Sequence, residues 1–323
     1  MHMPDGYINL ATSAGAAVVA AGGVAISLRN SGKELAERQV PLAGLTAAYV
    51  FAVQMLNFPI AAGTSGHLLG GALAAILLGP TLGALVVTVV VVMQALLFAD
   101  GGVSALGLNV LNMALVTAVV GWLVFRWLMK VLPARTSSAV VSSMVAAAVS
   151  VVASATAFVI EYSLGGQGGV AVRTVLQAMV GVHALIGLGE GLITALTVGT
   201  VLAVRPDLVK GAADLPLVTD RTAPSRATTV TFVVGGLVAA LVLVFVLAPI
   251  ASSAPDGLEK VALDMGFSEA ATDHPVGGPL ADYGVSGVDS ERAGTVLAGT
   301  IGVAATFAIG LAIATLLRRR RAT

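Results

Sequence analysis

The 323-residue chain contains no cysteine, which excludes disulfides, thiolate metal ligands and cysteine nucleophiles and leaves the redox compartment unread. Charge is also scarce. Charged residues make up 11% of the chain and hydrophobic ones 57%, whereas globular domains carry about 25% charged residues. With a mean hydropathy of +0.96, this composition is that of a membrane protein whose solvent is the bilayer. Two catalytic signatures are missing as well. No H-E-x-x-H pair is present, and Ser31-Gly32-Lys33-Glu34 lacks the leading glycine and the hydroxyl of a P-loop, so ATP cannot be hydrolysed that way. No nucleophile–base pair or metal-plus-base set replaces them, and the spans lack the chain of acids of a proton-driven pump. The reading is a non-enzyme with no cofactor. Net charge is zero and no nucleic-acid partner is expected. The first basic residue is Arg29, so the N-terminus lacks the positive region of a secretory signal peptide; with Met1 retained, the first helix is an uncleaved anchor.

What is present begins at the first residue. In Met1-His2-Met3-Pro4-Asp5-Gly6-Tyr7 a second-position histidine gathers three nitrogen donors: the α-amine of Met1, the backbone nitrogen of His2 and the His2 imidazole. Together they close two fused chelate rings around a metal able to displace the amide proton, and tetragonal nitrogen sites of this kind suit Ni(II) or Cu(II). One corner stays open, and His67, His183 and His274 are the remaining histidines.

Apolar runs fall at 8–28, 41–57, 67–98, 106–128, 139–160, 174–203, 230–250 and 293–317, against about 20 apolar residues for one spanning helix. The run 67–98 is either one long tilted helix or two elements broken at Gly79-Pro80, since proline starts a helix more readily than it continues one. Lys and Arg gather in cytoplasmic loops, and that decides the matter. With the run split and the N-terminus outside, the inner side holds 14 basic residues and the outer side 3, namely Arg173, Lys260 and Arg292. The expectation is nine spans, N-terminus out and C-terminus in. His2 and His67 then share the outer face, as does His274 on a longer loop. A polar stretch with Pro206, Pro216 and Pro224 leads to two final helices flanking an acidic loop. That loop either draws divalent cations by its field or is simply solvated. Small residues spaced for close helix packing, Ala17, Ala21 and Ala25, and Gly44 and Ala48, do not say which helix is the neighbour.

Ionisable groups inside a membrane are costly. His183 and Glu190, seven apart and so on one helix face, form either a polar relay beneath a ligand or a pair of interhelical hydrogen bonds. Gln94, Asn109 and Asn112 are placed either to tie helix ends together or to hold a histidine tautomer, and Asn57, Thr64 and Ser65 stand close enough to His67 for the same role.

Four motifs occur in order: Met1 to Tyr7; Gly63-Thr64-Ser65-Gly66-His67-Leu68; Phe98-Ala99-Asp100-Gly101-Gly102 through Asn109; and His183-Ala184-Leu185-Ile186-Gly187-Leu188-Gly189-Glu190. This set resembles the CbiM/NikM family, the substrate-capture components of energy-coupling factor importers for nickel and cobalt. Pro255-Asp256-Gly257-Leu258-Glu259 is similar to the PDGLE-type N component of the same systems. The resemblance implies a seven-helix bundle over residues 1–205, a cytoplasmic linker at 206–229 and a two-helix N component at 230–323. It implies Ni(II) or Co(II) as the transported ligand, held by Met1, His2 and His67. It also implies a transmembrane coupling subunit and ABC-type ATPase subunits as partners, in a bacterial-type cell membrane. A stand-alone secondary transporter or channel for divalent metals is the alternative.

The charge count yields a direct prediction. A reporter fused after Thr323 should behave as cytoplasmic and an accessibility tag within 270–285 as external; reversed labelling of either position overturns the map.

Overall fold

The computed structural model describes residues 1–35, 37, 39–61, 63–215 and 225–322. Arg38 and Arg221 of the charge count, and Pro216 and Pro224 of the linker, lie outside the described residues. The chain is an all-α membrane protein. Helix α1 (Leu10–Glu34) starts where Asn9 Oδ1 accepts from Thr12 N at 2.9 Å, an N-cap that satisfies one of the free amides of the first turn. Ser13, Ala16, Ala20, Ser27 and Ser31 line its buried stripe, while Leu10, Val18, Val19 and Ile26 are exposed on the face left to lipid. Helix α2 (Gln39–Gln54) is buried along nearly its whole length.

The long run after α2 is broken, with α3 (Gly71–Leu78) and α4 (Pro80–Leu97) meeting at Gly79, whose φ is +89°. Pro80 opens α4 because its missing N–H is one that a first helical turn leaves unpaired anyway. Helix α5 (Leu106–Val131) contains π-helical turns over Val110–Val116. Two long helices, α6 (Thr136–Gly165) and α7 (Val172–Val204), pack closely through glycines. A Cβ at Gly187 would lie 2.8 Å from Ala148 O and one at Gly191 would lie 2.7 Å from Met144 O. The C-terminal part consists of α8 (Arg226–Val242, continuing in irregular turns to Ile250), the short α9 (Gly257–Met265) and α10 (Glu291–Ala322). Its neighbour is in this chain: α10 lies on α2, where a Cβ at Gly44 would come within 2.8 Å of Phe307 O. Only a residue without a side chain allows backbones to approach so nearly.

Among the described residues, seven helices are long and apolar enough to cross a membrane, and α2, at 16 residues, is a shorter apolar helix. The remaining expected span departs from a plain helix. Residues 67–70 are not helical, and α3 has only eight residues, about 12 Å at 1.5 Å per residue. The chain covers the rest of this passage as irregular backbone, buried throughout, with Gly70 in the left-handed region at φ +82°. Non-helical backbone at membrane depth requires protein partners for its amides, and here it has them. Glu190 of α7 accepts from Leu69 N at 2.6 Å and Gly70 N at 3.1 Å, and Gln54 Nε2 donates to Leu69 O at 2.8 Å. The Glu190 carboxylate thus covers the amides at the start of α3, where a negative group is also favoured by the helix dipole.

Glu190→Ala should therefore lower the melting temperature in detergent sharply, because each buried amide left without a partner costs about 1–3 kcal/mol. Glu190→Gln, which keeps an acceptor oxygen, should fall between the two. Wild-type melting of Glu190→Ala contradicts this role.

Candidate metal centre

Residues 1–9 form no helix but thread through the loops at one end of the bundle. Asn109 grips Met3 from both sides, accepting from its N–H at 2.8 Å and donating to its carbonyl at 3.0 Å. Gly102 N donates to the same carbonyl at 2.8 Å. The Asp5 carboxylate collects Val103 N at 3.1 Å and Ser104 N at 2.6 Å together with the Ser104 hydroxyl. Gly101 is needed for close approach, since a Cβ there, at φ +92°, would lie 2.9 Å from Asn109 Nδ2. Further along, Gln167 N bonds Tyr7 O at 3.0 Å and Asn9 N bonds Gly165 O at 2.8 Å. The terminal segment is thereby held on three sides before any ligand is considered.

This threading brings Met1, His2 and His67 together. The Met1 amine lies 2.5 Å from His67 Nε2, and the two imidazoles stack with centroids 5.0 Å apart and 21° between planes. His67 Nδ1 lies 3.0 Å from Leu68 O. A carbonyl only accepts, so Nδ1 carries the hydrogen and the Nε2 lone pair faces the amine.

A chain of hydrogen bonds assigns the His2 tautomer in the same way. Tyr283 OH donates to Asp100 Oδ2 at 2.7 Å and so accepts from Gln94 Nε2 at 3.1 Å. That turns Gln94 Oε1 toward His2 Nε2, 3.0 Å away, and places the hydrogen on Nε2. His2 Nδ1 is left with its lone pair, 3.1 Å from Asp100 Oδ1. Burial, the largest effect, lowers the His2 pKa to about 4, against the opposing pull of Asp100, so the imidazole is neutral at pH 7. Two electron-rich atoms facing each other form a place for a cation. Tyr283 stays protonated, because burial and the neighbouring Asp100 push its hydroxyl well above the usual range.

Asp256 completes the arrangement. Its Oδ2 forms an ion pair with the Met1 amine and stands 3.5 Å from His67 Nε2. Burial alone would raise this carboxyl, but the charge of the Met1 amine holds it well below the usual carboxylate range. A cavity of about 830 Å³ opens above, lined by His2, His67, Asn57, Asp100, Asp256 and Tyr283 among others. Among the described residues, no three His, Asp or Glu side chains gather closely enough to hold an ion unaided. The Met1 amine and the His2 backbone nitrogen are further donors at the same place.

The remaining residues singled out in the sequence occupy varied positions. Ser65 ties its N–H to Pro255 O at 2.9 Å and its hydroxyl to Ala254 O at 2.7 Å. Thr64 lies in the short hairpin that leads to His67, where its carbonyl accepts from Ile60 N, and Asn57 O accepts from Ser252 N at 2.8 Å. Asn112 donates to Glu161 Oε2 at 2.7 Å, away from the imidazoles. His183 Nδ1 meets Met179 O at 2.8 Å and its Nε2 is buried without a partner, facing Gly257, where a Cβ would come within 3.1 Å. Glu190 belongs to the α3 cap. His274 makes a local contact with Val276 O in the loop between α9 and α10. Asp100, Asp256 and Tyr283 were not among the residues picked from sequence as site residues, although Asp256 stands in the Pro-Asp-Gly-Leu-Glu motif that could have drawn attention to it.

Residues 2–208 match the family described as the CbiM cobalt uptake substrate-specific transmembrane region, and residues 230–319 match the PDGLE domain. A protein of Archaeoglobus fulgidus named "Putative fused nickel transport protein NikMN" is 35% identical over 318 residues, 97% of this chain and 98% of its own. The "Cobalt transport protein CbiM" of Geobacter sulfurreducens is 31% identical over 251 residues, 75% of this chain and 71% of that one. A crystal structure of a truncated transition metal transporter superposes with a TM-score of 0.57 at 30% identity, covering 63% of this chain and 99% of the other. The chain belongs to the CbiM family of substrate-specific transmembrane regions, with a PDGLE domain fused behind it.

Proposed function

We propose that this chain is the substrate-capture component of an ATP-driven energy-coupling factor importer for Ni(II) or Co(II). It takes the ion at the outer face of a bacterial-type cell membrane and works with a transmembrane coupling subunit and ABC-type ATPase subunits. Residues 1–205 form the metal-capture unit and 230–323 the N component, joined through the inner-side linker at 206–229. Its named relatives are nickel and cobalt transport proteins, and its own sequence has no P-loop.

The observation that carries the reading is the meeting of the Met1 amine with His67 Nε2, 2.5 Å apart. In a planar four-nitrogen chelate the amine, the His2 backbone nitrogen and His2 Nδ1 occupy successive corners, so the fourth donor sits next to the amine. Two donors about 2 Å from one ion and at right angles lie about 2.8 Å apart. His67 already stands at nearly that spacing. Both imidazoles offer a free lone pair at the required nitrogen, and their N–H groups are held by Gln94 Oε1 and Leu68 O, the outer-shell arrangement that orients metal-binding histidines. Among the described residues no acceptor pairs with the His2 backbone N–H, so the amide proton can leave without breaking a protein hydrogen bond.

Two outcomes follow. Four nitrogens in a plane favour the d⁸ ion, and the general affinity order also puts nickel above cobalt, so titration of the purified protein should give tighter binding of Ni(II). Equal or reversed affinities contradict the planar site. Adding one residue before Met1 inserts a second amide into the chelate and moves His2 off its corner. An N-terminal tag should therefore abolish high-affinity nickel binding as fully as His2→Ala, and a C-terminal tag should leave it intact. Full affinity in an uncleaved N-tagged form places the ion elsewhere.

A further inference from the structure

The C-terminal part reaches the first two residues from both sides. On one side Tyr283 bonds Asp100 and Gln94, and Gln94 in turn bonds His2. On the other, Asp256 Oδ2 pairs with the Met1 amine. The turn carrying Asp256 is fixed to the strand that leads to His67, because Ser65 bonds the carbonyls of Ala254 and Pro255. Within the turn the two carboxylate oxygens are divided. Oδ1 accepts from Leu258 N at 2.8 Å and Glu259 N at 2.9 Å, capping α9, and Oδ2 is left for the amine. Gly257 lies over His183 and Ile186, with a would-be Cβ 2.5 Å from Ile186 Cδ1. A side chain there would have to displace Ile186 Cδ1 and press on the His183 ring.

We propose that Asp256 is a positioning residue of the metal centre, its Oδ2 accepting an N–H of the Met1 amine whether the site is empty or loaded. The inference rests on the chelate reading. An amine that ligates a metal still carries two hydrogens, and in a buried site they need acceptors. The chelate with one ionised amide also keeps a net positive charge on a divalent ion, which a carboxylate in contact with it offsets. The PDGLE turn is then part of the site and not only a neighbour of it: the first part of the chain supplies the donors and the fused part holds one of them in place.

The cap on α9 makes a clean test possible. Asparagine and serine are both good N-caps, so Asp256→Asn and Asp256→Ser keep the helix start. In the asparagine variant the carbonyl is retained by the cap, and the amide –NH₂, a donor, is turned toward the amine. Nickel titration of the full chain should show affinity lowered roughly 10- to 100-fold in both variants, the range for loss of an outer-shell partner. Asp264→Asn, in the same acidic helix, should match wild type. In metal-free protein, acetylation of the Met1 amine followed by mass spectrometry should run faster in both Asp256 variants, since the amine is no longer latched. Unchanged affinity and labelling with His2→Ala inactive overturns the inference and leaves the chelate standing. Wild-type affinity in His2→Ala overturns the chelate itself. If the Asp256 variants melt lower but their folded fraction binds nickel normally, Asp256 serves the fold alone and the inference fails.

Discussion

The structure depends on one constraint: backbone that is not helical can lie at membrane depth only where protein or a water-filled cavity supplies partners for its polar groups. The segment that carries His67 is of this kind. A continuous helix through residues 67–78 would satisfy its own amides but would fix the imidazole against a helix surface. The non-helical lead-in frees it to point at the chain terminus and leaves amides to be covered. Glu190 covers two of them and Gln54 takes a carbonyl. On the other side of His67, Ser65 finds its partners in the Pro255 turn. A glutamate buried in a membrane bundle is costly in isolation, but here it replaces hydrogen bonds that the broken helix gives up. Glu190 acts on the site through the backbone it holds.

The terminal segment is the complementary piece. A free amine is a poor fixed ligand when it sits at the end of a mobile chain, because ordering it costs conformational entropy. In this protein that ordering is built into the fold by the Asn109 clamp on Met3, the Asp5 contacts with the 103–104 turn and the main-chain bonds of Tyr7 and Asn9. The side chain of the terminal residue is buried too, and Ser154 Oγ lies 3.4 Å from Met1 Sδ. The geometry is thus prepared in advance, which is how a buried site gains affinity without additional contacts.

Part of this was legible in the sequence for identifiable reasons. The break at Gly79-Pro80 could be read because proline lacks an N–H and glycine tolerates positive φ. His2 and His67 could be paired because charge placed both on one face. The non-helical stretch at 67–70 was not legible: Leu68 and Leu69 continue an apolar run, and hydropathy does not distinguish a helix in lipid from an irregular segment shielded by protein. The spacing of His183 and Glu190 put them on one helix face, yet what each meets depends on the register of α7 against α3 and on the PDGLE turn. Asp256 was hidden by distance, 189 residues from His67 and within a loop whose other acids point to solvent. Only the packing of α10 and α8 on α2 brings that turn over the site.

The central claim is that a metal is held by four nitrogens in a plane, one of them the chain's own terminus. X-ray absorption at the nickel edge of the loaded, untagged protein tests it most directly. The account predicts the pre-edge transition of a square-planar ion and a first shell of four light scatterers with outer-shell features from two imidazoles. A six-coordinate spectrum, or a first shell with a single imidazole, would contradict it.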